Sequence, residues 1–370
     1  MKLWPLLAIL LTQASLASSY FVAPFYLSLN GIEPFYGAAA GMKGLTKRKF
    51  DIVAGASFGS LEGAGLSLSN YQLTANDRIG LNFLNISDVK YETNYGRGLT
   101  TTDFVNQKLE FQAIQLNYSR LLSKSLTVKF NIAMTQRKFK GYETLDEREI
   151  DITLKNFYDE KATILGPAIS YKTDLFKASA DLGYIFGRTG QSDMLLLNTS
   201  LWKAIPLSSN NALNFGMKSS HAFVASEFQT KDNEIDGDCE LITNSELQQR
   251  CLQLESDTNK FIKAHNRYGT AKPLGGNFGL RSFREFEFKS AHNLLLSSEF
   301  QQRLIGEKLY GLIFFELGQA QDRFEKIMNS SRFSSGAALH YYVSEKMPLR
   351  ITYARGNSGD QFFISAGSIW

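Results

Sequence analysis

The chain has 370 residues and a formal net charge of +4, a balance too mild for a nucleic-acid surface. It holds 28 Phe, 16 Tyr and 29 Gly but only 7 Pro and two Cys. Aromatic and glycine richness favours β structure, and two cysteines are too few for a disulfide scaffold or a metal cluster.

The chain opens "MKLWPLLAILLTQASLASSYF". Lys2, the apolar run Leu3 to Leu11 and the small residues Ser15 to Ala17 read as a secretory signal over residues 1–19, cleaved after Ala17 or Ser19. The run is too short to cross a membrane as a helix, and no later segment offers the ~18 apolar residues that would. The first strand begins at the cleavage site, so this reading expects residues 20–370 to form a single domain with no soluble domain ahead of it.

The strongest pattern in the rest is alternation. Ile114, Leu116 and Tyr118 oppose Ala113, Gln115, Asn117 and Ser119. After the tight turn "LSK", Leu126, Val128, Phe130, Ile132 and Met134 oppose Thr127, Lys129, Asn131, Ala133, Thr135 and Arg137. The same partition recurs around Leu182, Phe215 and Ile351. A period of two marks strands with one apolar and one polar face. The polar face carries Lys, Arg and Asp beside small residues, and the strands are long. That suits a transmembrane barrel with lipid outside.

Strands are expected near 20–30, 33–43, 48–59, 61–73, 78–92, 108–121, 125–139 and 161–173. The second half follows near 176–188, 193–205, 211–225, 290–303, 309–319, 332–344, 347–356 and 360–370. The expected fold is all-β, a 16-stranded antiparallel transmembrane barrel. Short connections fall on one side. The long ones, 93–107, 140–160, 226–289 and 320–331, fall on the other, as periplasmic turns and extracellular loops do. The last strand places Phe362, Ile364 and Trp370 on the outward face, with Gly367 between them. Pro24 removes a ladder donor from the first strand.

The longest loop, 226–289, has two parts. Its acidic first half includes Cys239 and Cys251, which in an exported chain read as a local disulfide. Asn244 to Leu254 forms a short helix in this reading. "DNEIDGD" has the flavour of a calcium loop, but Thr243 stands where the closing glutamate belongs, so no metal is expected. Its second half is "PLGGNFGLRSFREFEF", Pro273 to Phe288, too glycine-rich for a strand and too regular for a linker.

This stretch resembles the BamA/TamA superfamily of outer-membrane assembly barrels. In that family the sixth extracellular loop folds into the lumen, and its arginine pairs with an acidic residue on the thirteenth strand. The resemblance covers about residues 270–370. Gly275 and Gly276 match the loop's glycine pair. Leu280, Arg281 and Phe283 match its motif, with Ser282 in place of a glycine. Phe314, Glu316 and Gly318 match the strand pattern, with glutamate for aspartate. The residues agree. Gly311, Ile313, Phe315 and Leu317 share the apolar face, so Glu316 points inward and needs a partner. Arg281 is the expected partner and Arg284 the competitor. If the family's glycine needs a positive φ, Ser282 is strained by about 1 kcal/mol.

The resemblance implies a role in membrane-protein assembly or translocation, with outer-membrane lipids around the barrel and outer-membrane proteins as clients. It also implies a separate periplasmic partner with polypeptide-transport-associated (POTRA) domains. The alternative is a passive pore or structural surface protein with the loop as plug. The four histidines show no H-E-x-x-H spacing, and no G-x-S-x-G elbow or phosphate loop occurs. No catalytic role, cofactor or nucleic-acid partner is expected.

Overall fold

The computed structural model describes residues 20–366, except 30–31, 43, 45–49, 144–148, 151–159, 190, 230–236, 238, 277–278, 307, 345–346 and 358. The signal segment, Gly367 and Trp370 lie outside the described residues, as does most of the "DNEIDGD" stretch. No described helix is long and apolar enough to cross a membrane.

The described residues form one 17-stranded sheet. Its strands are β1 (Tyr20–Leu29), β2 (Ile32–Met42), β3 (Asp51–Gly59), β4 (Leu61–Gln72), β5 (Asp77–Thr93), β6 (Val105–Leu121), β7 (Leu126–Glu143), β8 (Glu149–Ile150) and β9 (Glu160–Lys172). They continue with β10 (Phe176–Thr189), β11 (Asp193–Pro206), β12 (Asn211–Ser226), β13 (His292–Ile305), β14 (Leu309–Gln321), β15 (Arg332–Ser344), β16 (Met347–Gly356) and β17 (Gly359–Ala366). Each long strand pairs antiparallel with the next, β7 passing directly to β9. The spur β8, two residues long, lies against the top of β7 and was not expected from the sequence.

The ladder curls until β1 lies alongside β17, with Cα atoms within 8 Å. No backbone ladder joins them among the described residues. Among the described residues the sheet is therefore not closed, where the sequence reading expected a complete barrel. Pro24 sits exposed in β1 and has no N–H to offer.

Alternation fixes which face is which. On β14, Ile313 and Phe315 are 64% and 49% exposed, while Leu312 and Phe314 are 4% and 2% exposed. Ile114, Leu116, Phe130, Met134, Phe362 and Ile364 also sit on the exposed apolar face. The opposite, inner face carries Asn198, Asn214, Ser297, Glu299, Glu316 and Arg350, all buried. An apolar outside and a polar inside invert the pattern of a water-soluble sandwich.

The connection between β12 and β13 covers the upper part of the inner face. Its described residues include a 3-10 turn at Cys239–Leu241 and a helix, α1 (Ser245–Tyr268). The helix has 24 residues, well past the Leu254 expected from the sequence. Its apolar stripe is interrupted by the polar run after Leu254, but Thr258 fills the buried position and donates its hydroxyl back to Leu254 O at 2.7 Å. Asn244 caps the start, accepting from the N–H groups of Glu246 and Leu247. Gly269, with φ of 81°, ends it.

Cys239 and Cys251 are joined by a disulfide. Both are fully buried in a small core with Tyr95, Val105, Tyr142 and Leu254. This core sits on the extended tops of β5 to β7, strands of 17, 17 and 18 residues. The strands outrun the expected ones because their upper ends pack against α1 rather than ending in loop.

Closing a short loop removes unfolded-state freedom worth about 2–4 kcal/mol. The double substitution Cys239→Ser with Cys251→Ser is expected to lower cap stability by roughly that amount. Limited proteolysis should then cut faster within 239–268, while the β signal in circular dichroism stays unchanged.

Candidate functional site

The second part of the long connection, 269–291, runs from the end of α1 back to β13. It is held by the 94–104 loop. Arg97 donates to Asp322 through Nη2 (2.5 Å) and Nε (3.1 Å), to Thr270 Oγ1 at 2.7 Å and to Gly269 O at 2.8 Å. Gly98 N donates to Lys289 O, and Asn94 Nδ2 to Glu287 O. Sequence reasoning missed Arg97 and Asp322, because they lie on two different loops and meet only through the fold.

Within this frame the chain doubles back. Leu274 and Phe288 pair as an isolated bridge, so Gly275 to Glu287 form a closed tip. Gly275 and Gly276 have φ of 120° and 70°. A side chain would also collide there: a Cβ on Gly275 would lie 2.3 Å from Arg284 O, and one on Gly276 1.9 Å from a Glu285 carboxylate oxygen. The glycine pair is thus required twice, by conformation and by space.

Arg281 stands at the end of the tip, fully buried. Its Nε donates to Glu316 Oε1 at 2.8 Å, and its backbone N–H to Glu316 Oε2 at 2.9 Å. Its Nη2 donates to Glu299 Oε1 at 2.5 Å. The guanidinium carbon lies 3.5 Å over the Phe314 ring, a cation–π contact worth about 2 kcal/mol when desolvated. The cradle therefore has two carboxylates and an aromatic floor. Glu299 went unnoticed in the sequence because it belongs to β13. It joins the site only through the register that sets Glu299 opposite Phe314 and Ser297 opposite Glu316.

Small residues let the tip approach the wall. Leu280 is buried against Gly318, where a Cβ would lie 2.3 Å from Leu280 Cδ1. Phe314 lies across Gly336, where a Cβ would sit 2.8 Å from its ring. Phe283 packs against Phe288 with ring centroids 4.9 Å apart, in a core with Leu99, Leu274, Leu280 and Leu295.

Two expectations need correction. The positive φ of the motif falls on Leu280, at 63°, and not on Ser282. Ser282 is therefore unstrained; its N–H donates to Ser334 Oγ at 2.9 Å. Its side chain occupies the space at Gly356, where a Cβ would lie 2.1 Å from Ser282 Oγ. A glycine on the wall accommodates the serine on the loop. Arg284 does not compete for Glu316. It faces the other way, paired with Glu92 at 2.9 Å and lying over Phe104.

The cap above the tip carries perturbed groups. Burial lowers the pKa of Lys289 to about 7, helped by the nearby charges of Arg137 and Arg97. Its ammonium donates to Thr93 Oγ1 and Asn94 O. Burial likewise lowers His265 to about 4, its Nδ1 lying 2.7 Å from Thr270 Oγ1 and its ring stacked on Phe261. No group of metal-ligating residues occurs among the described residues.

With the sheet and its pinned loop established, the chain can be compared with solved structures. Its fold is similar to that of BamA. BamA from Haemophilus ducreyi lacking POTRA domains 1–3 superimposes with a TM-score of 0.61 over 95% of this chain and 70% of that one, at 11% identity. CdiB from Acinetobacter baumannii gives 0.54 over 94% and 58%, also at 11% identity. CdiB from Escherichia coli gives 0.53 over 91% and 59%, at 9% identity. The chain thus spans under two thirds of the length of the two CdiB chains. No family model matches the sequence, and no curated protein does. At such identity the BamA-like likeness is one of fold.

Breaking a buried ion pair from one side costs about 3–5 kcal/mol. Arg281→Met is expected to lose about that much in urea unfolding, because it strands two buried carboxylates. Ser282→Gly should change stability by under about 1 kcal/mol. Gly318→Val should loosen the tip without touching the ion pair, seen as faster proteolysis within 273–289.

Acidity should act on the cap in one direction. Lys289 and His265 both have folded pKa values below their unfolded ones, so the unfolded state binds more protons between the two values. Stability should therefore rise with pH from about 4 to 6.5 through His265 and from about 7 to 10.5 through Lys289. The full cost is present below each folded value. Lys289→Met should abolish the upper slope, read as the urea midpoint of unfolding against pH.

Proposed function

We propose that this chain is a 16-stranded outer-membrane β-barrel that acts in the assembly or translocation of membrane proteins. In this reading the loop tip folds into the lumen. The apolar face meets outer-membrane lipids, and the clients are other outer-membrane proteins. A separate periplasmic partner with POTRA-type domains delivers the clients. Residues 1–19 direct export and are removed.

The observation that carries the reading is the unladdered approach of β1 to β17 in a sheet of BamA-like fold. Two strand edges with unsatisfied N–H and C=O groups cost free energy in lipid. A strand from a client can satisfy them. The ion pair between Arg281 and Glu316 supports the same reading, since it joins the loop and strand motifs that resemble the assembly family.

A second reading, a passive pore, is favoured by one feature. A cavity of about 600 Å³ lies against the inner face of β5 to β10, lined by Asn82, Gln115, Asn131, Thr135 and Asp181 among others. Polar side chains on the inner wall are what a water-filled path would require, although Leu84, Phe111 and Ile164 also line the space.

Reconstitution separates the two. Liposomes carrying the protein should fold a denatured client barrel severalfold faster than empty liposomes. A disulfide engineered between β1 and β17 should remove that gain. A steady large conductance with no effect on client folding would sink the assembly reading and leave the pore.

A further inference from the structure

The connection from β14 to β15 does not stay over its own strands. Asp322, just past β14, is held on the covered side by Arg97. Two residues on, a 3-10 turn runs over Phe324–Asn329. The Phe324 ring lies 5.5 Å from both the His221 and the His292 rings. These two histidines are directly opposed across β12 and β13, with rings 5.4 Å apart. The turn therefore reaches back past β13 to β12.

Alternation tells on which side it does so. His221 shares its face of β12 with Phe215, Met217 and Phe223, and His292 shares its face of β13 with Leu296 and Leu304. All five are exposed, so this is the outer, apolar face. His292 lies on it but is only 5% exposed, packed by the rings of Phe223 and Phe324. The connection thus straddles the rim of the sheet. An ion pair fixes it on the inside, and an aromatic ring fixes it on the outside.

What the turn shows to its surroundings is largely apolar. Phe324 is 56% exposed although it touches two rings, and Met328 is 68% exposed. Ile327, beside Met328, is half-buried. Holding such side chains out on a short surface turn gains nothing in water. Here they continue the apolar outer face, which exposes Phe223 and Phe333 at the same end of the sheet. A band of aromatic residues near the end of an apolar face is what a lipid–water boundary favours. The exposed polar residues of the turn, Glu325, Lys326 and Asn329, suit the headgroup side of that boundary.

We propose, resting on the reading that lipid surrounds the outer face, that the turn Phe324–Asn329 is a lipid anchor. Phe324 and Met328 lie in the outer leaflet, where headgroups meet acyl chains. The stack of Phe324 on the histidine pair holds the turn there. Lipid is the occupant because the exposed surface of the turn adjoins the sheet face that lipid covers. The anchor fixes the depth at which the β12 to β14 side of the sheet sits in the membrane.

The test uses the full chain in vesicles. Its two cysteines are joined and buried, so one introduced cysteine is the only thiol open to a polarity-sensitive fluorophore. Three variants are labelled: Met328→Cys in the turn, Met134→Cys on the exposed sheet face and Leu241→Cys on the cap, each at an exposed position. All are folded into phosphatidylcholine vesicles with bromine atoms along the acyl chains. The label at 328 should emit to the blue of the label at 241 and lose intensity to the bromines, as the label at 134 does.

If 134 is quenched while 328 stays as bright and as water-like as 241, the sheet lies in lipid but the turn does not, and the anchor is overturned. If 134 is also unquenched, the membrane reading itself fails. A label at 328 that is blue-shifted but unquenched lies against a second copy of this chain, which overturns the anchor as well. Adding Phe324→Ala to the 328 variant should return its emission to that of 241, because no ring then holds the turn on the outer face. Heat-modifiable migration on gels checks that each variant keeps its sheet. Full quenching in the folded double variant would mean that the ring does not hold the turn, against the proposal. If the double variant does not fold, the bromine result at 328 decides alone.

Discussion

One guanidinium shared between two carboxylates organises the upper inner face of this protein. Arg281 reaches Glu316 through its side chain and backbone, and Glu299 through its outer nitrogen. All three groups are buried, so their desolvation is offset only while they stay together. That requirement explains the surrounding residue choices. Gly318 lets Leu280 seat, Gly336 lets Phe314 lie flat beneath the cation, and Gly356 makes room for Ser282. The glycines on the wall and the bulky residues on the loop are two halves of one contact.

The pair would not hold a long free loop on its own. The connection is stiffened before it reaches the wall. The disulfide and α1 build a separate small core over β5 to β7, and Arg97 ties the helix end to Asp322. The chain that remains to be ordered at the tip is short, and its entropy cost is correspondingly small. Cap and tip thus support each other. The cap positions the arginine, and the arginine anchors the cap to the sheet.

The sheet itself is built for an unusual solvent. Its exposed face is apolar and its covered face polar, which is stable only if lipid lies outside. The seam between β1 and β17 is the exception to an otherwise continuous ladder. Among the described residues, the open hydrogen-bonding groups of the sheet's long edges are thus concentrated along this line.

Much of this was legible in the sequence, because alternation has a period of two and needs no long-range information. The long strands and the inward direction of Glu316 follow from that period. The glycine pair and Arg281 were visible as a local motif. Other features depended on partners far apart in the chain. Glu299 enters the site through strand register, Gly356 accommodates Ser282 from 74 positions further along the chain, and Arg97 meets Asp322 between two loops. The placement of positive φ on Leu280 rather than Ser282 was likewise hidden, because its strain is offset by burial against Gly318. Local sequence determined which way each side chain points; only the tertiary structure decided what it meets there, because contact distance is set by register and packing and not by the chain's own periodicity.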